Sequence, residues 1–246
     1  MGPGAHGSTS MASKQTALST YLDRLAPPVG LLLLILSIAI GAGTGLAAVL
    51  FIKLIYAIQH LGYEALPNLL PWLGNFVYLI VPVIGGLLVG PLILFAQEAK
   101  GHGVPEVMQA LIIRGGRIRA RVAAAKIVAS ALCIGTGGSA GREGPIVQVG
   151  SALGSSIGQV LRLSDDRIRN LVGWGGGAGI AATFNGPIGG VVFSIVVLMG
   201  NLQVRFFGNV VIAAVSSSIV IRFFSGCPPG LFHPCPFARF PGLTDL

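Results

Sequence analysis

The sequence predicts an all-α, polytopic membrane protein built from tilted and discontinuous helices. Three observations carry this reading. Apolar residues make up 53% of the chain and charged residues only 10%, against about 25% charged in a typical soluble domain. Together with a mean hydropathy of +0.81, that leaves too little charge to cover a water-facing surface. Glycine is abundant, at 37 residues; it weakens helices in water but lets helices approach closely in a bilayer. Finally, the apolar residues fall first into long runs and then into short ones broken by Gly and Pro.

Residues 1–27 open the chain as a tail rich in Gly, Ser and Ala, without the apolar core of a signal peptide. They read as disordered and cytoplasmic. A membrane domain over 28–225 follows. Its first apolar run, Val29 to about Leu61, is about 45 Å long as a helix against a hydrocarbon core of about 30 Å. It must tilt or protrude, and Lys53 near its far end can snorkel. The second run is Trp72 to Phe95, with Gly85, Gly86, Gly90 and two prolines.

The loops set the topology. Lys14 and Arg24 precede the first span, and the segment between the spans holds Glu64 and neither Lys nor Arg. After the second span come Lys100, Arg114, Arg117, Arg119, Arg121 and Lys126. The positive-inside rule places the N-terminus and the 98–126 region in the cytoplasm of a multi-pass cell-membrane protein.

Beyond this point the apolar segments shorten: Pro105–Ile113, Val122–Ile134, Gly144–Leu161, Leu171–Thr183, Pro187–Leu202 and Phe207–Phe224. Several fall below the roughly 20 residues of a full span. Short hydrophobic segments interrupted by Gly and Pro point to discontinuous helices that meet at a midplane binding site. Such irregular backbone persists only where it is buried in protein or lines a cavity. The last segment, 226–246, holds five prolines in its final twenty residues and reads as an exposed loop or as an aberrant end of a truncated gene.

The formal charge of +8 invites a nucleic-acid partner, but the basic residues stand between apolar segments and build no aromatic or basic face. They read as membrane anchors. Cys133, Cys227 and Cys235 form no metal spacing, and neither a metal nor an organic cofactor is implied. Gly137-Gly138-Ser139-Ala140-Gly141 matches the GxSxG of serine hydrolases. That reading requires a strand before Ser139, whereas the preceding segment is Ala-rich and helical, so the chain is read as no enzyme.

Three segments carry chemistry. In Gly101-His102-Gly103-Val104-Pro105-Glu106, glycines permit close backbone approach and Pro105 suits the first turn of a helix. Free N–H groups at that start make an anion site. In Gly135-Thr136-Gly137-Gly138-Ser139-Ala140-Gly141-Arg142-Glu143-Gly144-Pro145, a glycine-rich break again leads into a helix. Glu143 is an ionisable residue between apolar segments, which is costly and usually functional. Its carboxylate at a helix N-terminus can occupy the place of an anion and leave on protonation; capping or pairing with Arg142 are the structural alternatives. In Phe184-Asn185-Gly186-Pro187-Ile188-Gly189-Gly190, Asn185 reads as a cap.

In this order and spacing the three segments resemble the CLC family of chloride channels and transporters. GHGVPEV is similar to that family's GSGIPE element, GGSAGREGP to GxGREGP, and FNGPIGGVVFSI to FNAPLAGxLF. The resemblance covers about residues 28 to 225 and implies the N-terminal half of the fold, the first of two inverted repeats. It implies a voltage-gated chloride-channel-like pathway gated by Glu143, with anion contacts at His102, Gly103, Val104, Pro105, Arg142, Gly144, Pro145 and Ile146. Lys126 falls where a basic residue supports the pore potential, and His102 stands where the family commonly has Ser. Proton-coupled members carry an internal acid where this chain has Val197, beside Val196, so passive conduction is favoured over proton-coupled antiport. The implied partners are chloride or a similar small anion, membrane lipid, and a second copy docked near residues 187–224. A missing C-terminal half and a non-conducting half-transporter are alternatives, and an intramembrane hydrolase at Ser139 ranks last.

Overall fold

The computed structural model describes residues 29–69, 71–95, 101–200 and 207–225. Among these residues every regular element is a helix. In chain order they are α1 (Val29–Gln59), α2 (Val77–Phe95), α3 (Val104–Ile113), α4 (Ala120–Gly135), α5 (Glu143–Val160), α6 (Asp165–Phe184), α7 (Pro187–Phe193) and α8 (Phe207–Ser225). The tails at 1–27 and 226–246, and with them Cys227 and Cys235, lie outside the described residues.

Three stretches are long and apolar enough to cross a membrane: Gly30–Asn68, Val77–Leu94 and Phe207–Phe224. Large apolar side chains stand open along them, Leu31, Leu50, Leu79 and Leu87 among these. In lipid such exposure carries no penalty, while every backbone polar group must be bonded internally, and helices meet that demand.

The first run continues past α1 through a π turn at His60–Ala65 and a short helix at Leu66–Leu69. The second run was expected to start at Trp72, but α2 begins at Val77. Pro71 opens a 3₁₀ turn, and Gly74, at φ +46° and ψ −131°, breaks it. Similarly, α6 begins at Asp165 rather than Leu171. Its first turn is charged (Asp165, Asp166, Arg167) and invisible to a search for apolar residues. Of the segment expected from Pro187 to Leu202, Pro187–Phe193 is α-helical and Ser194–Leu198 widens into a π turn, while Asn201 and Leu202 lie outside the described residues.

The core forms where α5 crosses α6, the most extensive helix contact in the fold. A Cβ at Gly150 would strike the Gly175 carbonyl, and a Cβ at Gly175 the Gly150 carbonyl. The two backbones touch because neither residue has a side chain, which is the close approach that small residues give membrane helices. Trp174, fully buried beside this crossing, packs with Leu36, Ile40, Val191 and Val210. Between α1 and α8 the same device recurs, with Gly41 and Gly45 against the backbones of Ala213 and Ser217. Hydroxyls bond across the helix pairs: Ser151 Oγ donates to the Val172 carbonyl at 3.2 Å, Ser194 Oγ to Gly173 at 2.7 Å and Ser217 Oγ to Ala178 at 2.9 Å.

Candidate anion site at paired helix N-termini

The N-terminus of α3 meets the N-terminus of α5. A Cβ at Gly103 would strike the Gly144 backbone, and a Cβ at Gly144 would strike the His102 carbonyl. Gly103 also sits at φ +103°, a region that side-chain-bearing residues rarely adopt. The glycines of the first two segments therefore allow one junction. Both positive dipole ends and their leading N–H groups are delivered to it.

Each residue at the junction has a distinct position. In α3 the first intrahelical bond is Val107 N–H to the Gly103 carbonyl at 3.2 Å, so the Val104 N–H precedes the helical ladder. Pro105 has no N–H to leave unpaired. Gly103 is buried, but its N–H donates to Glu106 Oε2 at 2.7 Å. In α5 the first bond is Ile146 N–H to the Arg142 carbonyl at 3.3 Å. The Glu143 and Gly144 N–H groups precede it, and Pro145 again has none. Arg142 is the N-cap at φ −82° and ψ −12°. The Glu143 side chain folds back over Gly141, where any added Cβ would meet Oε2. Ile146 is 2% exposed and belongs to the cluster with Phe51, Ile55 and Ala182. The His102 side chain is exposed; it is the backbone of His102 that enters the junction.

Lys126 lies behind the α3 start, on α4. It is 4% exposed and its Nζ donates to the Gly101 carbonyl. Glu106 lies within electrostatic range of Lys126. The loop at 101–103 is thus held by a cation on one carbonyl and a carboxylate on one N–H. Glu106 escaped the sequence reading as a functional group. A glutamate three residues after an N-cap glycine is the available signal, because at N3 it can bond back to the N-cap N–H.

The loop that carries Glu143 has its own anchors. α4 ends in a Schellman closure: Gly138 N–H to Cys133 O at 2.8 Å and Gly137 N–H to Ile134 O at 3.0 Å, with Gly137 at φ +95°. Tyr63 Oη then donates to the Thr136 carbonyl at 2.9 Å, and Tyr63 stacks on Tyr78 at 5.7 Å. Neither anchor is visible in a local pattern. The third glycine–proline start, at α7, packs on α6 and α8. Asn185 ends α6 in the left-handed region at φ +52°, and its Oδ1 accepts from Arg222 Nε at 2.6 Å rather than bonding only locally. Ser139 is exposed and follows a helix and a turn, not a strand, so the nucleophile elbow is not built.

Glycine-packed membrane helices that present paired N-termini define a polytopic protein of the channel and secondary-transporter class. The chain belongs to the voltage gated chloride channel family, whose model matches residues 85–239. It is 32% identical over 198 residues to a Ralstonia nicotianae protein described as chloride channel ClcB-like, covering 76% of this chain and 46% of that one. It is also 32% identical over 205 residues to the H(+)/Cl(-) exchange transporter ClcA of Yersinia pestis, covering 80% and 42%. The fold superposes on a slow cyanobacterial Cl-/H+ antiporter with a TM-score of 0.68 at 25% identity, over 79% of this chain and 47% of that one. A CLC-type fluoride/proton antiporter gives 0.63, also at 25% identity, over 78% and 46%. The chain spans less than half the length of the curated relatives it matches. Membership of a channel and transporter family sets the hydrolase reading aside.

Proposed function

We propose that this chain carries chloride across the membrane, with the anion held at the α3–α5 junction and admitted or excluded by Glu143. The observation that supports this is the backbone contact of Gly103 with Gly144, which brings two helix N-termini to one place. The N–H groups of Val104, Glu143 and Gly144 are the donors. Gly103 and Ile146, whose N–H groups are already engaged, set the positions of the two starts, as do Pro105 and Pro145. Oriented dipoles without a full counter-charge let an anion enter and also leave. Arg142 and the buried Lys126 raise the local potential. When ionised, the Glu143 carboxylate competes for the same donors; when protonated, it releases them.

The reading is passive conduction. Val196 and Val197 lie on the π turn after α7, and neither side chain can carry a proton. A second reading, proton-coupled exchange, draws on relatives whose names include exchange with H(+). In either case the N-terminus is placed in the cytoplasm, and a second copy docks along the 187–224 helices.

The deciding test is chloride efflux from liposomes holding the purified chain, with and without a pH gradient, beside Glu143→Ala. Efflux that ignores the gradient and changes in the variant supports an uncoupled, Glu143-gated pathway. Efflux driven by the gradient establishes the exchanger instead. An inserted protein that passes no chloride overturns a self-sufficient pathway.

A further inference from the structure

We infer that the α3–α4 and α5–α6 loops together form a binding site for the headgroups of anionic phospholipids. The first loop and its flanks carry Arg114, Arg117, Arg119 and Arg121; the second carries Arg162, and the start of α6 that follows it carries Arg167 and Arg169, with Asp165 and Asp166. Seven arginines against two aspartates leave a local charge of +5.

The structure makes these two loops one surface. A Cβ at Gly115 would touch the Asp165 side chain and a Cβ at Gly116 the Arg169 backbone. Arg117 bonds Asp165 Oδ1 through Nη2 at 2.9 Å and Nε at 3.1 Å. Two buried bonds fix the seam, Ile118 N–H to Ser155 Oγ at 2.8 Å and Ser155 Oγ to the Gly116 carbonyl at 2.7 Å, with a half-buried one from Gln159 Nε2 to the Ile118 carbonyl at 2.9 Å. The arginines therefore stand on a rigid platform, and Arg114, Arg117, Arg119, Arg121, Arg162 and Arg169 are exposed.

The apolar rim selects the partner. Ile112 and Ile113 end α3 at 75% and 71% exposure, and Val160 and Leu161 stand beside Arg162 at 81% and 41%. A soluble acidic protein or a nucleic acid would leave open apolar side chains beside the charges in water. At a bilayer edge these side chains enter the acyl region while the guanidinium groups meet phosphates, which is where arginines of membrane proteins rest. Arginine also fits phosphate oxygens in a bidentate manner.

The test is an anisotropy titration of a fluorescent short-chain phosphatidylglycerol into the purified chain in neutral detergent, against the same probe with a phosphatidylcholine headgroup. Arg121→Gln with Arg162→Gln removes two charges and leaves intact the Arg117–Asp165 pair and the Arg169–Asp166 pair, in which Arg169 Nη1 bonds Asp166 Oδ1 at 3.1 Å. The expected result is tighter binding of phosphatidylglycerol, weakened roughly fivefold per charge removed. Arg121→Lys with Arg162→Lys restores binding, and Lys53→Gln on α1 leaves it unchanged. At about 1 M salt, where screening reaches about 3 Å, the headgroup preference disappears. Equal binding of both headgroups, a double glutamine variant that keeps the preference, or binding of polyglutamate in place of phosphatidylglycerol overturns the assignment.

Discussion

The two parts of α5 use glycine in opposite ways. In its body, Gly150 meets Gly175 and Gly154 meets the Leu171 carbonyl, and the surroundings are buried apolar side chains such as Val147, Val149 and Ala152. At its N-terminus, Gly144 meets the backbone at His102–Gly103, and the surroundings are Glu106, Lys126, Arg142 and Glu143. The same backbone contact gives packing in one place and a polar junction in the other. What differs is whether the peptide groups at the contact are already bonded. In mid-helix the ladder bonds them all; at the helix start the leading N–H groups remain available.

The largest effect is expected from Gly150→Val, which tests the body of the helix. Two carbonyl-bearing backbones must separate to admit the side chain, and overpacking at such a site costs about 3 kcal/mol or more. Thermal unfolding of the purified chain in detergent measures it, and a variant as stable as the parent would show that the α5–α6 contact is loose. A smaller effect on stability and a larger one on transport is expected from Lys126→Met. The variant keeps the length of the side chain but loses the bond to Gly101 and the buried positive charge. At an effective dielectric of about 20, a unit charge acting over about 10 Å is worth on the order of 1–2 kcal/mol. Chloride flux should therefore fall roughly tenfold while the fold persists. If flux is unchanged in Lys126→Met, the junction does not depend on that charge.

The same division explains what the sequence makes legible. The starts of α3 and α5 are readable to within a residue, because glycines followed by Pro105 and Pro145 mark both the break and the first turn. So are the GREGP and FNGP segments, and with them the family. The charged first turn of α6 and the late start of α2 are not, since apolar runs do not register Asp165 or the break at Gly74. The supports of the site are even less visible. Arg222 reaches Asn185 across 37 residues and Tyr63 reaches Thr136 across 73. No local period encodes a contact between residues that only the fold brings together. Glu106 lies between these cases: its type and spacing are local, but its acceptance of the Gly103 N–H depends on the turn at Gly103.

The smallest effect, and the sharpest separation of the two ends of α5, is expected from Tyr63→Phe. The hydroxyl donates to the Thr136 carbonyl where α4 stops and the loop to Glu143 begins. Phenylalanine keeps the ring that stacks on Tyr78 and removes one hydrogen bond, a net loss of about 1 kcal/mol. Because the α5–α6 crossing does not involve Tyr63, global unfolding should move by no more than that. The loop at 137–142, which passes from the Schellman closure to the N-cap at Arg142, loses its tie to the first span. Backbone amides of this loop should then exchange hydrogen faster than in the parent, while amides at the Gly150–Gly175 crossing keep their protection. Chloride flux should change with them, because the loop sets where the Glu143 side chain rests against Gly141. Unchanged exchange in the loop, or equal loss of protection at both ends of α5, would mean that Tyr63 is part of the general packing and not an anchor of the gate.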